Sequence, residues 1–257
     1  MTGNTTTPLP APEAASLPAA TARSEWRSYL SFLKRPVLPE RVTGIGAAAV
    51  KATLRLYLLD LLIMGGLILT ALAAIAAGFV PPAHAMDDLE MTASLVFAIV
   101  IFAPLAEELL FRGWLSGRPG AVLSLLVLGA GVIAIILGSK AQPIASGLAL
   151  IGALIAALVL AILLRKRAPW RWFARAFPIF FWLSTIAFAL VHMLNYKEGS
   201  LATLLPLVIP QFIAGSIFGY ARVRYGLWSN MLLHVLHNGT LVGGIALALM
   251  LGGGASA

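Results

Sequence analysis

Seven polar side chains interrupt stretches of this chain that are otherwise almost wholly apolar: Asp60, Glu107, Glu108, His192, His234, His237 and Asn238, with Arg112 near the end of one stretch. A lone acidic group at a bilayer centre costs about 2.5–3.5 kcal/mol even on lenient insertion scales, so each of these groups needs water, a partner or a function. Three of the chain's four histidines are in the set. Carboxylates and imidazoles placed together suit the activation of water and the handling of its protons.

Spacing sorts the set. In "PLAEELLFRGWL", residues 104–115, Glu108 and Arg112 are four apart and share a helix face with the acid before the base, the favourable order for an ion pair. Pairing makes Glu108 a support for the site. Glu107 points about 100° round the helix, away from that partner. Pro104 cannot donate a backbone hydrogen bond, which predicts a kink just before the carboxylates and access for water or backbone groups. In "FALVH" Phe188 and His192 are four apart, so the ring packs beside the imidazole and fixes its rotamer. "WSNMLLHVLHN" puts His234 and Asn238 on one face, with His237 beside them. An inward-facing histidine and carboxamide either bind a metal or polarise a carbonyl and hold its oxyanion.

The elements that hold these residues must be membrane helices. Of 257 residues 60% are apolar and 11% charged, and the mean hydropathy is +0.93, far from a soluble domain. We expect an all-α polytopic membrane protein with about seven transmembrane segments, at roughly 54–80, 92–113, 120–138, 144–164, 177–195, 201–221 and 227–250. Residues 1–50 read as a disordered and interfacial cytoplasmic tail, and residues 51–257 as the membrane domain. Within the tail, "SEWRSYLSFLKRPV" sets Trp26, Tyr29, Leu30 and Leu33 along one stripe, as in a helix lying on the membrane surface.

Lys and Arg outnumber Asp and Glu by 18 to 10. Under strict alternation of the spans 16 of the 18 basic residues fall on one side, leaving Lys140 and Lys197 on the other. The positive-inside rule then puts the amino end in the cytoplasm, and the basic excess sets topology; nucleic acid is not a partner. The absence of cysteine excludes disulfides, iron–sulfur clusters and thiolate-held zinc. We expect a multi-pass protein of the plasma membrane.

Glu-Glu-x-x-x-Arg, then Phe-x-x-x-His, then His-x-x-x-Asn, each on its own span, resemble the motifs of the CPBP family, the CAAX-protease and bacteriocin-processing group of intramembrane proteases that includes the CAAX prenyl endopeptidases. The resemblance covers about residues 92–250 and extends to "FRG" after the acidic pair and "PQFIAGSIFGYARVRYGLW" before the last histidine. It implies an intramembrane endopeptidase in which Glu107 activates the hydrolytic water, Glu108 and Arg112 complete that motif, His192 supplies the second and His234 and Asn238 the third. His237 has no role in the pattern and is assigned to support or packing. The chain departs from the pattern in one respect. Glu107 and His192 are 85 positions apart, more than is usual, and the excess holds the apolar pair at about 120–164, an inserted hairpin of two spans.

Two mechanisms fit these residues. In one, a divalent metal such as zinc is held by His192, His234 and Glu107 and acidifies its water. In the other there is no metal: Glu107 and His192 act as base while His234 and Asn238 donate to the oxyanion. We lean to the second, because a carboxylate needed as base is poorly spared as a ligand. The substrate would be a membrane-embedded or membrane-associated polypeptide, with the lipid bilayer as surroundings, reached through a water-filled cavity expected to open to the cytoplasm. The competing readings are a non-catalytic immunity or scaffold protein of the same fold and a small proton-coupled transporter; the inverted halves a transporter predicts are not found. Asp60, near Arg55, reads as a structural group.

Overall fold

A computed structural model of the chain describes residues 21–138 and 140–253; residues 1–20 of the expected tail lie outside them. Among the described residues eleven α-helices follow one another: α1 (Ala22–Lys34), α2 (Ala47–Ala76), α3 (Ala93–Phe97), α4 (Ala103–Arg112), α5 (Pro119–Gly138), α6 (Pro143–Leu163), α7 (Arg171–Arg175), α8 (Phe177–Val191), α9 (Leu201–Leu207), α10 (Ile209–Arg224) and α11 (Leu227–Gly253). No β-strand occurs among the described residues. Six helical stretches among these residues are long and apolar enough to cross a membrane, and α9 with α10, bent by 45° at their junction, would be a seventh. Large apolar side chains such as Leu69, Leu137, Leu148 and Leu158 stand exposed on them, as lipid-facing residues do. This is an integral, all-helical membrane protein. α2 begins seven residues before the apolar pattern starts, because hydropathy marks the bilayer core and not the helix end.

The second span is built from three pieces. α3 runs through a π-helical turn, Ala98–Phe102, into α4, where Pro104 sits in the first turn. In the π turn the Ala103 N–H reaches back to the Ala98 carbonyl, one residue further than in an α-helix. By the same register the Ile99 carbonyl would take the N–H of residue 104, which proline lacks. The expected irregularity before the carboxylates is therefore a spare carbonyl.

α1 carries a Thr21–Ser24 capping box and its expected amphipathic stripe, but much of that stripe packs on protein. Tyr29 is buried against α2 and α10, and the Trp26 indole donates to the Arg55 carbonyl at 2.8 Å. Beside it Glu25, also buried, accepts from the hydroxyls of Tyr220 at 3.1 Å and Tyr225 at 2.7 Å. Burial, then the neighbouring Glu25 carboxylate, push the Tyr225 phenol far up, so it remains a donor. Further bonds close this end of the bundle: Thr43 N–H to Arg224 carbonyl at 3.2 Å, Trp170 N–H to Gly117 carbonyl at 3.0 Å and Arg118 guanidinium to Arg165 carbonyl at 2.8 Å. At the opposite end the loop between α2 and α3 pairs with the segment after α8. His84 bridges Tyr196, and Ala85 N–H donates to the Asn195 carbonyl at 2.6 Å.

α5 and α6 form the expected extra hairpin. They pack chiefly on each other through small residues, with Gly131 against Ala153 and the Ser124 hydroxyl on the Ala157 carbonyl at 2.7 Å. The remaining spans gather round α10, whose Gly215 and Gly219 receive Phe188 and Phe181 of α8. A Cβ at Gly215 would meet the Phe188 ring at 2.9 Å and the Arg112 guanidinium at 3.0 Å. We predict that Gly215→Leu lowers unfolding stability by about 1–3 kcal/mol, the usual cost of overpacking, measured by thermal unfolding in detergent; an unchanged melting temperature would contradict this packing.

Candidate active site

The Glu108 carboxylate is fully buried and surrounded by donors from two helices. Arg112, one turn on, pairs with Oε1; the His234 Nδ1 donates to the same oxygen at 2.8 Å; and the Asn230 amide donates to Oε2. Arg112 is itself buried and lies over the Phe188 ring at 4.0 Å, with the Gly215 carbonyl accepting at 3.4 Å. The expected Glu108–Arg112 pair is thus one edge of a larger network.

Glu107 turns the other way. Its side chain keeps 30% of its exposure against none for Glu108, and Oε2 stands 3.8 Å from the His234 Nε2, beyond hydrogen-bond reach. It lines a cavity of about 390 Å³ together with Phe188, His192, His234, His237 and Asn238. Neither Glu108 nor Arg112 lines it. The structure thus brings Glu107, His192 and His234, one ionisable residue from each motif, to one space together with His237. α8 ends at Val191, His192 starts a 3-10 turn, and its side chain reaches the same cavity as Glu107.

Each imidazole is oriented from behind. The His192 Nδ1 donates to the Phe188 carbonyl at 2.7 Å, which fixes the proton there and, in the neutral ring, leaves Nε2 as an acceptor. His234 is fixed in the same sense by Glu108, between Phe218, stacked at 4.6 Å, and Phe188. His237 is held by Asp60, whose Oδ2 accepts from Nδ1 at 2.7 Å. Asp60 therefore partners a cavity-lining histidine and not Arg55 as its position suggests. Asn238 donates to the Ile99 carbonyl, the one freed by the π turn and Pro104, at 2.8 Å. That bond leaves Asn238 one amide hydrogen and its oxygen for the cavity. Gln211 of α10 also lines the cavity, and its Oε1 is buried without a hydrogen-bond partner. Beyond Gln211, His237 and Leu241 a second, apolar chamber of about 180 Å³ opens between α2, α10 and α11.

The family model described as "Type II CAAX prenyl endopeptidase Rce1-like" matches residues 89–240. The chain belongs to this family. No curated protein and no solved structure matches it. The Rce1-like match carries intramembrane CAAX-type protease function at the level of the family and contains all three motifs; Asp60, on α2, lies outside it.

The metal reading needs His192, His234 and Glu107 as one ligand set, and the side chains do not assemble it. Among the described residues no three His, Asp or Glu side chains are grouped to hold a metal ion. The approach of Glu107 to His234 lacks a third member, so we route no step through a metal. The cavity is expected from the sequence to open to the cytoplasm. Its lining includes His84, Ala85, Met86 and Asn195, at the end of the bundle opposite Arg112, Arg118 and Arg222.

Sequence reasoning missed Asn230, which is one turn before His234 in "SNMLLH" and so shares its face, and the pairing of Asp60 with His237. We predict that Asn230→Ala, which strips a buried carboxylate of a donor, lowers unfolding stability by about 1.5–3 kcal/mol. Chemical unfolding in detergent checks this, and a variant as stable as wild type would mean that Glu108 does not depend on Asn230.

Proposed function

We propose that this Rce1-like protein is an intramembrane endopeptidase of the plasma membrane that hydrolyses peptide bonds in membrane-associated polypeptides with a water activated by Glu107. The observation that carries this reading is the division of labour between adjacent carboxylates. Glu108 has all its partners in protein, whereas Glu107 faces a cavity with a free oxygen beside oriented imidazoles.

The proposed chemistry balances on these groups alone. Water gives one proton to the Glu107 carboxylate as its oxygen bonds the scissile carbonyl carbon, and its other hydrogen is held by the Nε2 acceptor of His192; His234, whose Nδ1 hydrogen is committed to Glu108, has none to offer the oxyanion. The oxyanion takes the remaining amide hydrogen of Asn238. As the C–N bond breaks, Glu107 returns its proton to the leaving amine and is again a carboxylate. Arg112 and Glu108 act on substrate only through His234 and Phe188, so we assign them to positioning. The apolar chamber beyond His237 suits an aliphatic or aromatic side chain next to the cleaved bond, in keeping with a hydrophobic substrate.

The test compares newly formed peptide termini in cells making wild type and Glu107→Gln at equal membrane levels. A general base contributes about 10²–10⁴-fold in rate, so termini made by the enzyme should disappear in the variant. Identical profiles under several growth conditions would overturn the protease reading in favour of a non-catalytic member of the family. Asn238→Leu should leave the same termini reduced by about 10²–10³-fold, the usual effect of losing one oxyanion donor, and an undiminished yield would remove Asn238 from the proposed mechanism.

A further inference from the structure

A buried cation needs a counter-charge, and the chain supplies none beside Arg222. This residue of α10 is only 9% exposed, and it donates from Nε to the Arg112 carbonyl at 3.0 Å and from Nη2 to the Gly113 carbonyl at 3.2 Å. Those bonds satisfy two donors and leave the charge uncompensated. Arg222 lines a polar pocket of about 310 Å³ together with Arg41 and Arg118, within the size range of small-molecule sites. Glu40 is in the same wall, yet among the described residues no carboxylate forms an ion pair with any of the three arginines. The pocket therefore sets three guanidiniums against one carboxylate. Arg41 and Arg118 are exposed, and Arg118 is tethered by its bond to the Arg165 carbonyl at 2.8 Å. α5, twenty residues long, starts at Pro119 beside Arg118, and its positive end adds to the same field.

The surroundings of the pocket are those of a membrane interface. Trp170, next to the lining residue Pro169, stacks on Trp172 at 5.5 Å, and Trp172 is exposed. Tryptophans so placed mark the headgroup level of a bilayer. Leu163, which ends α6 two positions before Arg165, is strongly exposed as a lipid-facing residue, so the bilayer surface leads to the pocket. Leu38 and Val42 make part of its wall apolar. We infer that this pocket binds the phosphate of an anionic phospholipid headgroup, held by Arg41, Arg118 and the remaining donors of Arg222. Guanidinium forks match phosphate oxygens, and basic pockets between membrane helices take such headgroups. A headgroup carrying its own cation, such as choline, would meet repulsion from the same arginines. The pocket shares no lining residue with the cavity of Glu107. Arg222 connects it to the carbonyls at the end of α4, the helix that carries Glu107 and Glu108. A bound phosphate thus supplies the missing counter-charge where α4 and α10 meet, and it stabilises the folded protein.

The site does not depend on the protease reading, and it is tested on the purified full chain in a neutral detergent. Dihexanoyl phosphatidylglycerol, dihexanoyl phosphatidylcholine and inorganic phosphate are titrated separately while thermal unfolding is followed. Wild type is compared with Arg41→Gln/Arg118→Gln and with Lys51→Gln/Lys166→Gln, which removes two charges from exposed positions outside the pocket. Arg222 is left in place because its bonds help to hold α10 to α4. The expected result is a saturable rise in melting temperature with phosphatidylglycerol alone. In the arginine pair that rise needs at least about tenfold more lipid, and in the lysine pair it is unchanged. The wild type gives a second reading without any variant: its response to phosphatidylglycerol persists in excess phosphatidylcholine. An equal response to phosphatidylcholine, loss of the response in its excess, or an equal weakening in the lysine pair would overturn the inference, because lipid contact or overall charge would then suffice. Inorganic phosphate acting as strongly as phosphatidylglycerol would overturn the lipid source in favour of a free anion. No rise with any probe would overturn the site itself.

Discussion

A carboxylate without access to water must be fully compensated, and Glu108 organises the protein around that requirement. Its two oxygens draw Arg112 from its own helix and Asn230 and His234 from α11, 122 and 126 positions away. Meeting those donors fixes α4 against α11. Arg112, buried in turn, needs the face of Phe188 and the Gly215 carbonyl, which brings α8 and α10 to the same point. Removal of the charged partner from a buried ion pair such as Glu108–Arg112 typically costs about 3–5 kcal/mol, which makes the network a strict constraint on how the helices assemble. The Glu108 network is also why His234 presents the same ring nitrogen to the cavity in a fixed direction.

A second constraint shapes the cavity from the α3–α4 side. The π turn and Pro104 together strip the Ile99 carbonyl of its helical donor, and an unpaired carbonyl within the bilayer is costly. The Asn238 amide meets that need and is thereby held at the cavity wall. Glu107, one residue before the saturated Glu108, is left as the carboxylate with room in front of it. Adjacent positions on one helix thus acquire opposite roles from their surroundings alone, one anchoring the fold and the other available for chemistry.

Much of this was legible in the sequence because the signals are local. Apolar runs of about 20 residues mark the spans, the four-residue spacing of Glu108 and Arg112 gives their pair, and a proline before the acidic pair announces the irregular turn. The order of the three motifs carried the family. What was not legible depends on partners far apart in the chain. Asp60 has Arg55 within reach along its own helix, yet its carboxylate crosses to His237, 177 positions on. Asn230 reads as an ordinary polar residue near a helix start until Glu108 is beside it. The full wall of the cavity was not legible for a related reason: depth along each helix locates Cα atoms, whereas His84, Ala85, Met86 and Asn195, from loops outside the three motifs, complete the lining.

The account's central claim is that Glu108 holds the fold while Glu107 does not. The most direct measurement is thermal unfolding in detergent of Glu107→Gln and Glu108→Gln side by side. The account predicts that Glu107→Gln melts with the wild type, whereas Glu108→Gln, which removes the charge that buried Arg112 needs, melts far lower or fails to accumulate folded. Equal melting temperatures for the two variants, or a larger loss for Glu107→Gln, would contradict it.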